Sequence, residues 1–332
     1  MEHLSFNDVL IAPRYSEVES RADCDTSSYL GPEVGLKLPV IASNMDTVCE
    51  SEMCIAMQKN GGIGVLHRNM NISTRVAQLE KVFEHNYNAG IAIGIRELPL
   101  KVARHFLLHG AAMLVVDVAH GHSKRVGEVV EGIVRLVGKG EYDCTIIAGN
   151  VATAEGAVFL ANCGVDAIKV GIGPGAACIT RTQTGIGVPQ LSAIMDCVDA
   201  VEDFNVNIIA DGGIKTVGDV CKAIAAGADA VMLGGMLAKC AEAPGEVKYV
   251  DGVKYKQYRG MASAGAGSQY IEGAEGWVEC NTDVSEVMTS ISNGLRSAMS
   301  YTGSTTIEEF KDNAQFVQVS TASVSENGAH EF

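Results

Sequence analysis

Along this chain, short and nearly unbroken apolar runs alternate with longer amphipathic stretches. The apolar runs occupy residues 39–44 (PVIASN), 63–67 (IGVLH), 89–94 (AGIAIG), 112–118 (AMLVVDV), 144–149 (CTIIAG), 167–172 (AIKVGI), 207–211 (NIIAD) and 230–234 (AVMLG). Runs this short, with β-branched residues and no polar alternation, read as strands buried on both faces. Most gaps hold a segment of helical periodicity, such as SEMCIAMQKN, TRVAQLEKVFEHN, ATAEGAVFLANC and TVGDVCKAIAAG, where Ala, Glu and Lys replace strand formers. Eight strand–helix units predict an α/β chain folded as a closed (β/α)8 TIM barrel. An open doubly wound sheet would need a GxGxxG turn after its first strand, and none follows PVIASN.

Composition narrows the class. With 332 residues, 47% of them hydrophobic, one large core suffices, so residues 1–332 are expected to form a single barrel domain with a C-terminal tail. A net charge of −15 disfavours a nucleic-acid or anionic-membrane partner, because phosphate backbones call for clustered Lys and Arg. No apolar stretch reaches the about 18 residues of a membrane span, and MEHLSFNDVL carries an acid where a secretion signal would be basic, so a cytoplasmic location is expected. Ten cysteines without CxxC pairs read as free thiols and predict no structural zinc.

In this fold the chemistry sits at the C-terminal strand ends, and those ends are polar or glycine-rich here. In chain order they are Asn44-Met45-Asp46, His67, Gly94, Asp117 with AHGHS, Gly149-Asn150, the run GIGPGAACITR, Asp211-Gly212-Gly213 and Gly234-Gly235. Glycines after the seventh and eighth strands suit a phosphate held by backbone N–H groups, and Asp211 suits a ribose diol. On the sixth loop, Cys178 stands among glycines with Thr180 two residues on. A cysteine on an amide-rich loop presents a thiolate to an electrophilic carbon. His67 and His120 are left out of the chemistry, since a strand-end histidine is as often structural.

The motifs LSFNDVLIAPRYSEVESR, SNMDTV, GGIGVLHRNM, VDVAHGHS, AGNVAT, KVGIGPG, CITR, IADGGI, VMLGGML, YRGM and EGAEG, in this order, resemble the IMP dehydrogenase and GMP reductase family over nearly the whole chain. The resemblance implies a purine nucleoside 5′-monophosphate, a nicotinamide dinucleotide and a cysteine that attacks purine C2. It implies Cys178 as nucleophile with Thr180 and Glu272 as the acid/base pair. Gly213, Gly234, Gly235 and Tyr258 would hold the phosphate, with Gly175 and Gly260 beside them, and Asp211 the ribose. Met45 and Met261 would line the purine, and Asp117 and Asn150 would face the dinucleotide. Carbonyls of Gly171, Gly173 and Cys178 would bind a monovalent cation, K+, with Glu326 of the tail SENGAHEF contributing from a neighbouring subunit of a homo-tetramer or octamer.

The family holds two opposite reactions. Dehydrogenases oxidise IMP with NAD and hydrolyse the covalent intermediate with a flap whose Arg-Tyr pair activates water; reductases deaminate GMP with NADPH. Here only ASAGAGSQYI separates YRGM from EGAEG, no arginine occurs between Met261 and Arg296, and no CBS module follows HRNM. These features, with GGML, are closest to GMP reductase, and IMP dehydrogenase is the alternative. VDVAHGHS, DGGI and the tail decide nothing. Ala176 stands where the family usually has a serine, removing a phosphate-facing hydroxyl. Two further readings differ in class: an FMN-binding barrel, which gives no reason for Cys178 and Thr180 and would be yellow, and a nucleotide binder without activity.

Overall fold

The eight apolar runs are eight parallel strands in the computed structural model, which describes residues 3–96, 98–138 and 142–320. They are β1 (Val40–Ala42), β2 (Ile63–Leu66), β3 (Gly90–Ile93), β4 (Met113–Asp117), β5 (Thr145–Val151), β6 (Ala167–Val170), β7 (Asn207–Asp211) and β8 (Ala230–Leu233). Each pairs with the next, and β8 returns to β1 with Val231 opposite Val40. The (β/α)8 barrel expected from the pattern is therefore present. Most strands are shorter than the apolar runs that announce them, but β5 runs past its expected end to Val151, because a register irregularity between Gly149 and Val151 lets pairing resume opposite Val170.

Helices α1 (Ser51–Lys59), α2 (Ile72–Phe83), α3 (Pro99–Leu108), α4 (Lys124–Val137), α5 (Ala154–Asn162), α6 (Gln190–Ala200), α7 (Val217–Ala225) and α8 (Val284–Tyr301) follow the strands in turn. Their apolar faces bury against the outside of the barrel; α4 does so with Val126, Val129, Val130 and Ile133, the spacing of one helical face. Local signals start them where the pattern requires. Thr153 caps α5 by accepting from Gly156 N–H at 3.2 Å, and Thr216 with Asp219 forms a capping box at α7.

Strand alternation decides what enters the barrel. Met113 and Val115 of β4, Ile147 of β5, Ala167 of β6, Ile209 of β7 and Ala230 and Met232 of β8 share one interior cluster. Their neighbours Leu114, Val116, Ile168, Val170 and Ala210 belong to the outer core beneath the helices. A hairpin (Ser28–Tyr29 with Gly35–Leu36) adds Leu30, Val34 and Leu36 to the interior cluster. It sits at the strand starts, where Ser28 Oγ donates to the Asp229 carbonyl at 2.6 Å. The period of two then carries the inward face upward to Asp117, Lys169 and Asp211 at the strand ends.

Past β8, a three-stranded antiparallel sheet (Val247–Val250, Val253–Arg259, Glu275–Glu279) leads to the segment that meets the cysteine loop. Lys256, nearly fully buried, fastens it by donating to the carbonyls of Cys240, Ala241 and Ala243. Tyr258 lies two residues on, on the same face.

Gly171, directly after β6, has φ +149°, and a Cβ there would lie 1.9 Å from the carbonyl oxygen of Asp211. Only a backbone shift at the mouth could accommodate it. Gly171→Ala should lower stability by about 2 kcal/mol or more, read as a reduced denaturation midpoint. A midpoint equal to wild type would show that the β6 and β7 ends do not constrain each other.

Candidate active site

The strand ends and the loops beyond β8 surround a cleft of about 1540 Å³. All sixteen site residues expected from the sequence within the described range line it: Met45, Asp117, Asn150, Gly171, Gly173, Gly175, Cys178, Thr180, Asp211, Gly213, Gly234, Gly235, Tyr258, Gly260, Met261 and Glu272. Glu326 and the tail lie outside the described residues.

The cysteine loop is built from backbone bonds in two directions. Cys178 N–H donates to Gly175 O at 3.0 Å, Ile179 N–H to Glu272 O at 2.8 Å, and Ala274 N–H to Ala177 O at 2.9 Å. Cys178 and Gly273 form an isolated antiparallel bridge. Because the loop and the 272–274 segment hold each other, the side chains of residues 92 positions apart converge. The Cys178 thiol donates to Thr180 Oγ1 at 3.2 Å, and the Thr180 hydroxyl donates to Glu272 Oε2 at 2.7 Å. This is a proton path from sulfur through a hydroxyl to a carboxylate.

Opposite lies a cradle of small residues. A Cβ on Gly234 would stand 3.1 Å from both Met45 Sδ and Tyr258 Oη, and one on Gly235 would stand 3.6 Å from Ala176 Cβ. Ala176 thus faces the glycine turn, and the hydroxyl this chain lacks is missing at that spot. Burial pushes the Tyr258 phenol up to about 12, with Asp211 adding to the effect, so at neutral pH the phenol keeps its proton and can donate to an anion.

Between the two, Lys169 rises from the inner face of β6, 2% exposed. Its Nζ donates to Asp117 Oδ1 at 2.7 Å and to Asp211 Oδ2 at 3.0 Å. Burial opposes its charge, yet the two carboxylates outweigh burial and hold the ammonium above its usual range. Burial likewise works against the Asp117 carboxylate, but Lys169, Asn44 and Arg68 together keep it below its usual value. Asn150 Nδ2 donates to Asp211 Oδ2 at 2.9 Å and to Gly171 O at 2.8 Å.

Sequence reasoning passed over three groups. Lys169 was visible as a cation inside an apolar strand, a position where a charge demands a buried partner. Arg259 clasps Asp46 with two bonds, Nε to Oδ1 at 3.1 Å and Nη2 to Oδ2 at 2.8 Å, and so ties the Met45 loop to the strand leading to Met261. Gln190 Nε2 joins the ends of β6 and β7 through Val170 O at 2.8 Å and Asp211 O at 3.2 Å. Neither of these two carried a signal beyond its residue type.

A cysteine–threonine–carboxylate chain, a glycine cradle and a carboxylate held by a buried lysine lie together at one barrel mouth. Residues 3–330 match the family model described as the IMP dehydrogenase / GMP reductase domain. The chain belongs to the IMP dehydrogenase / GMP reductase family. It is 33% identical to a GMP reductase of Leishmania donovani, covering 99% of this chain and 97% of that protein. It is 35% identical to inosine-5′-monophosphate dehydrogenases of Borreliella burgdorferi and Cryptosporidium parvum, covering 99% of this chain and 97% and 95% of theirs. The family consists of oxidoreductases acting on purine nucleoside monophosphates with a nicotinamide dinucleotide. The Leishmania and Borreliella alignments run over 479 and 398 positions, both longer than this 332-residue chain. Both relatives therefore carry residues that this chain lacks, and more of them in the one named a reductase. The absence of an inserted module consequently gives no support to either reaction. No helix among the described residues is long and apolar enough to cross a membrane.

All ten cysteines are free, and only Cys178 and Cys280 are not buried. Burial pushes Cys144, Cys197, Cys221 and Cys240 up to about 12. Brief alkylation of the native protein should label Cys178 and Cys280 first, and GMP should protect Cys178 alone. Peptide mapping that found Cys178 unlabelled, or labelled equally with saturating GMP, would contradict this geometry.

Proposed function

We propose that this chain is a GMP reductase, converting GMP to IMP and ammonia with NADPH. The observation that carries the reading is the Cys178–Thr180–Glu272 path beside a closing segment, residues 262–271, that holds no arginine. In this reading Glu272 takes the thiol proton through Thr180, and the Cys178 thiolate adds to C2 of the guanine ring. The same carboxyl returns the proton to the 2-amino group, which departs as ammonia and leaves the purine as a thioimidate on Cys178. The dinucleotide, when bound, supplies the hydride to C2 that releases IMP and the cysteine thiolate. Tyr258 and the Gly213, Gly234 and Gly235 amides hold the phosphate, Asp211 accepts the ribose, and Met45 and Met261 flank the base.

The far end of the cleft fits an anionic dinucleotide. Arg68 lines it beside the N-terminal turn of α2, which contains no acid, and has no ion-pair partner among the described residues. A guanidinium at a helix N-terminus favours phosphate, while Arg75 is buried, donates to the Ala92 carbonyl and lies over the Phe106 ring. Asp117 and Asn150 would then face the nicotinamide half. For potassium, the carbonyl of Gly171 already accepts from Asn150, which leaves one lone pair for a cation beside Gly173 and Cys178. We expect the assembled enzyme to be a cytosolic ring of four, with Glu326 of one subunit reaching this site in the next.

IMP dehydrogenase is the second reading, because relatives of that name match the chain as well as a reductase does. Incubating the protein with GMP and NADPH, and separately with IMP and NAD, separates the two by absorbance of the reduced nicotinamide. The expected result is consumption of NADPH with GMP; NADH formation from IMP would overturn it. Cys178→Ser should abolish turnover with GMP binding retained, and Glu272→Gln should slow turnover by ~10²-fold or more with GMP affinity less affected. Wild-type rates in either variant would refute the covalent relay. Removing residues 325–332 should lower activity and abolish stimulation by potassium without unfolding the barrel. A truncated protein still stimulated by potassium would show that the tail does not complete the cation site.

A further inference from the structure

We propose that Lys169 is a positioning residue that couples the nucleotide half of the cleft to the dinucleotide half. The inference rests on reading Asp211 as the ribose acceptor and Asp117 as facing the dinucleotide. Lys169 stands inside the barrel mouth between those two carboxylates, and it also contacts Met232 Sδ at 3.6 Å. An ammonium has three N–H donors, and the three contacts lie on three different strands: β4, β7 and β8. No direction is left for the group to follow one carboxylate without leaving the other.

The bonds on Asp211 divide its work. Lys169 and Asn150 both donate to Oδ2, and no described residue donates to Oδ1, which is therefore the oxygen presented to a ligand hydroxyl. A ligand bond on Oδ1 fixes the carboxylate plane, the plane fixes Lys169 against Oδ2, and Lys169 fixes Asp117 Oδ1. The second ligand then meets an acceptor already held in place, and the ordering free energy is spent once for both. This ordering acts toward mutual tightening of GMP and NADPH.

Calorimetry on Cys178→Ala protein tests this, because GMP and NADPH can then be bound together without covalent chemistry. GMP should bind at least about fivefold tighter in the presence of saturating NADPH. Adding Lys169→Met should bring that ratio close to one, and adding Asp117→Asn should do the same. The two changes together should have no further effect on the ratio, since both cut one connection. A role limited to barrel stability would weaken the two GMP affinities equally and leave the ratio untouched. Where Lys169→Met alone does not fold, the double variant removes one charge of each sign, and Asp117→Asn leaves the Lys169–Asp211 pair intact, so the ratio can still be read. A parent ratio of one, an unchanged ratio in the variants, or losses that multiply in the double variant would overturn the proposal. Asp211→Asn in the same background checks the reading beneath it. GMP affinity should fall by about tenfold; an unchanged affinity would remove Asp211 from the ribose site, independently of the coupling result.

Discussion

A single ammonium shared by two carboxylates inside the barrel mouth is the constraint around which the rest of this site is arranged. A buried lysine is tolerated only with partners, and here both partners belong to other strands, so the ends of β4, β6 and β7 are held in mutual register. Gln190 and Asn150 reinforce the same strand ends from the side. Gly171 gives room for the Asp211 carbonyl where any side chain would collide. The cysteine loop leaves the barrel immediately after this clamped region, so its starting point is rigid although its glycines are free to turn.

The reactive path obtains its geometry differently. Thr180 and Glu272 are brought together by backbone bonds between two loops, and strand pairing in the barrel takes no part. The 272–274 segment is in turn held by Ala262 O, which accepts from both Glu272 and Gly273 N–H at 3.0 Å. A Cβ on Gly273 would stand 2.9 Å from Ser263 N, so the close approach of the 272–274 segment to residues 260–263 depends on glycine. The Cys178–Thr180–Glu272 chain thus rests on a pair of mutually supporting loops while the Lys169 cluster rests on the barrel, an arrangement that lets Glu272 shift without disturbing the strand-end contacts.

The barrel was legible because parallel strands covered on both faces must be continuously apolar, and the helices between them must not be. Cys178, Asp211 and the glycine turns were legible because this architecture puts its chemistry at one end of each strand. Glu272 was legible only through the family motif: no spacing rule joins it to Thr180, since their meeting depends on how the sheet of residues 247–279 folds back over the mouth. Lys169 could have been found from burial alone, as a cation two residues beyond Ala167 on the inward face. The Arg259–Asp46 clasp could not, because its partners are 213 residues apart and each is an ordinary surface type until the fold places them.

Proton accounting also bears on which of the two family reactions this site suits. In deamination the proton lost by the thiol is the proton the departing amine needs, and one further proton from solvent restores the thiol after the hydride step releases the thiolate. In oxidation of IMP the departing group is a hydride, which takes no proton, and Glu272 would be left protonated just when water must be activated for hydrolysis. That second step needs either a discharge to solvent or another base, the role the family's flap arginine fills. Between Met261 and Glu272 this chain offers Ser263, Ser268, Gln269 and Tyr270. None of these side chains carries a carboxylate, imidazole or guanidinium group, and the tyrosine is 72% exposed. Deamination thus asks the relay only to pass on the proton it has just taken, whereas hydrolysis asks for a base that is free again, and either cycle exchanges one proton with solvent.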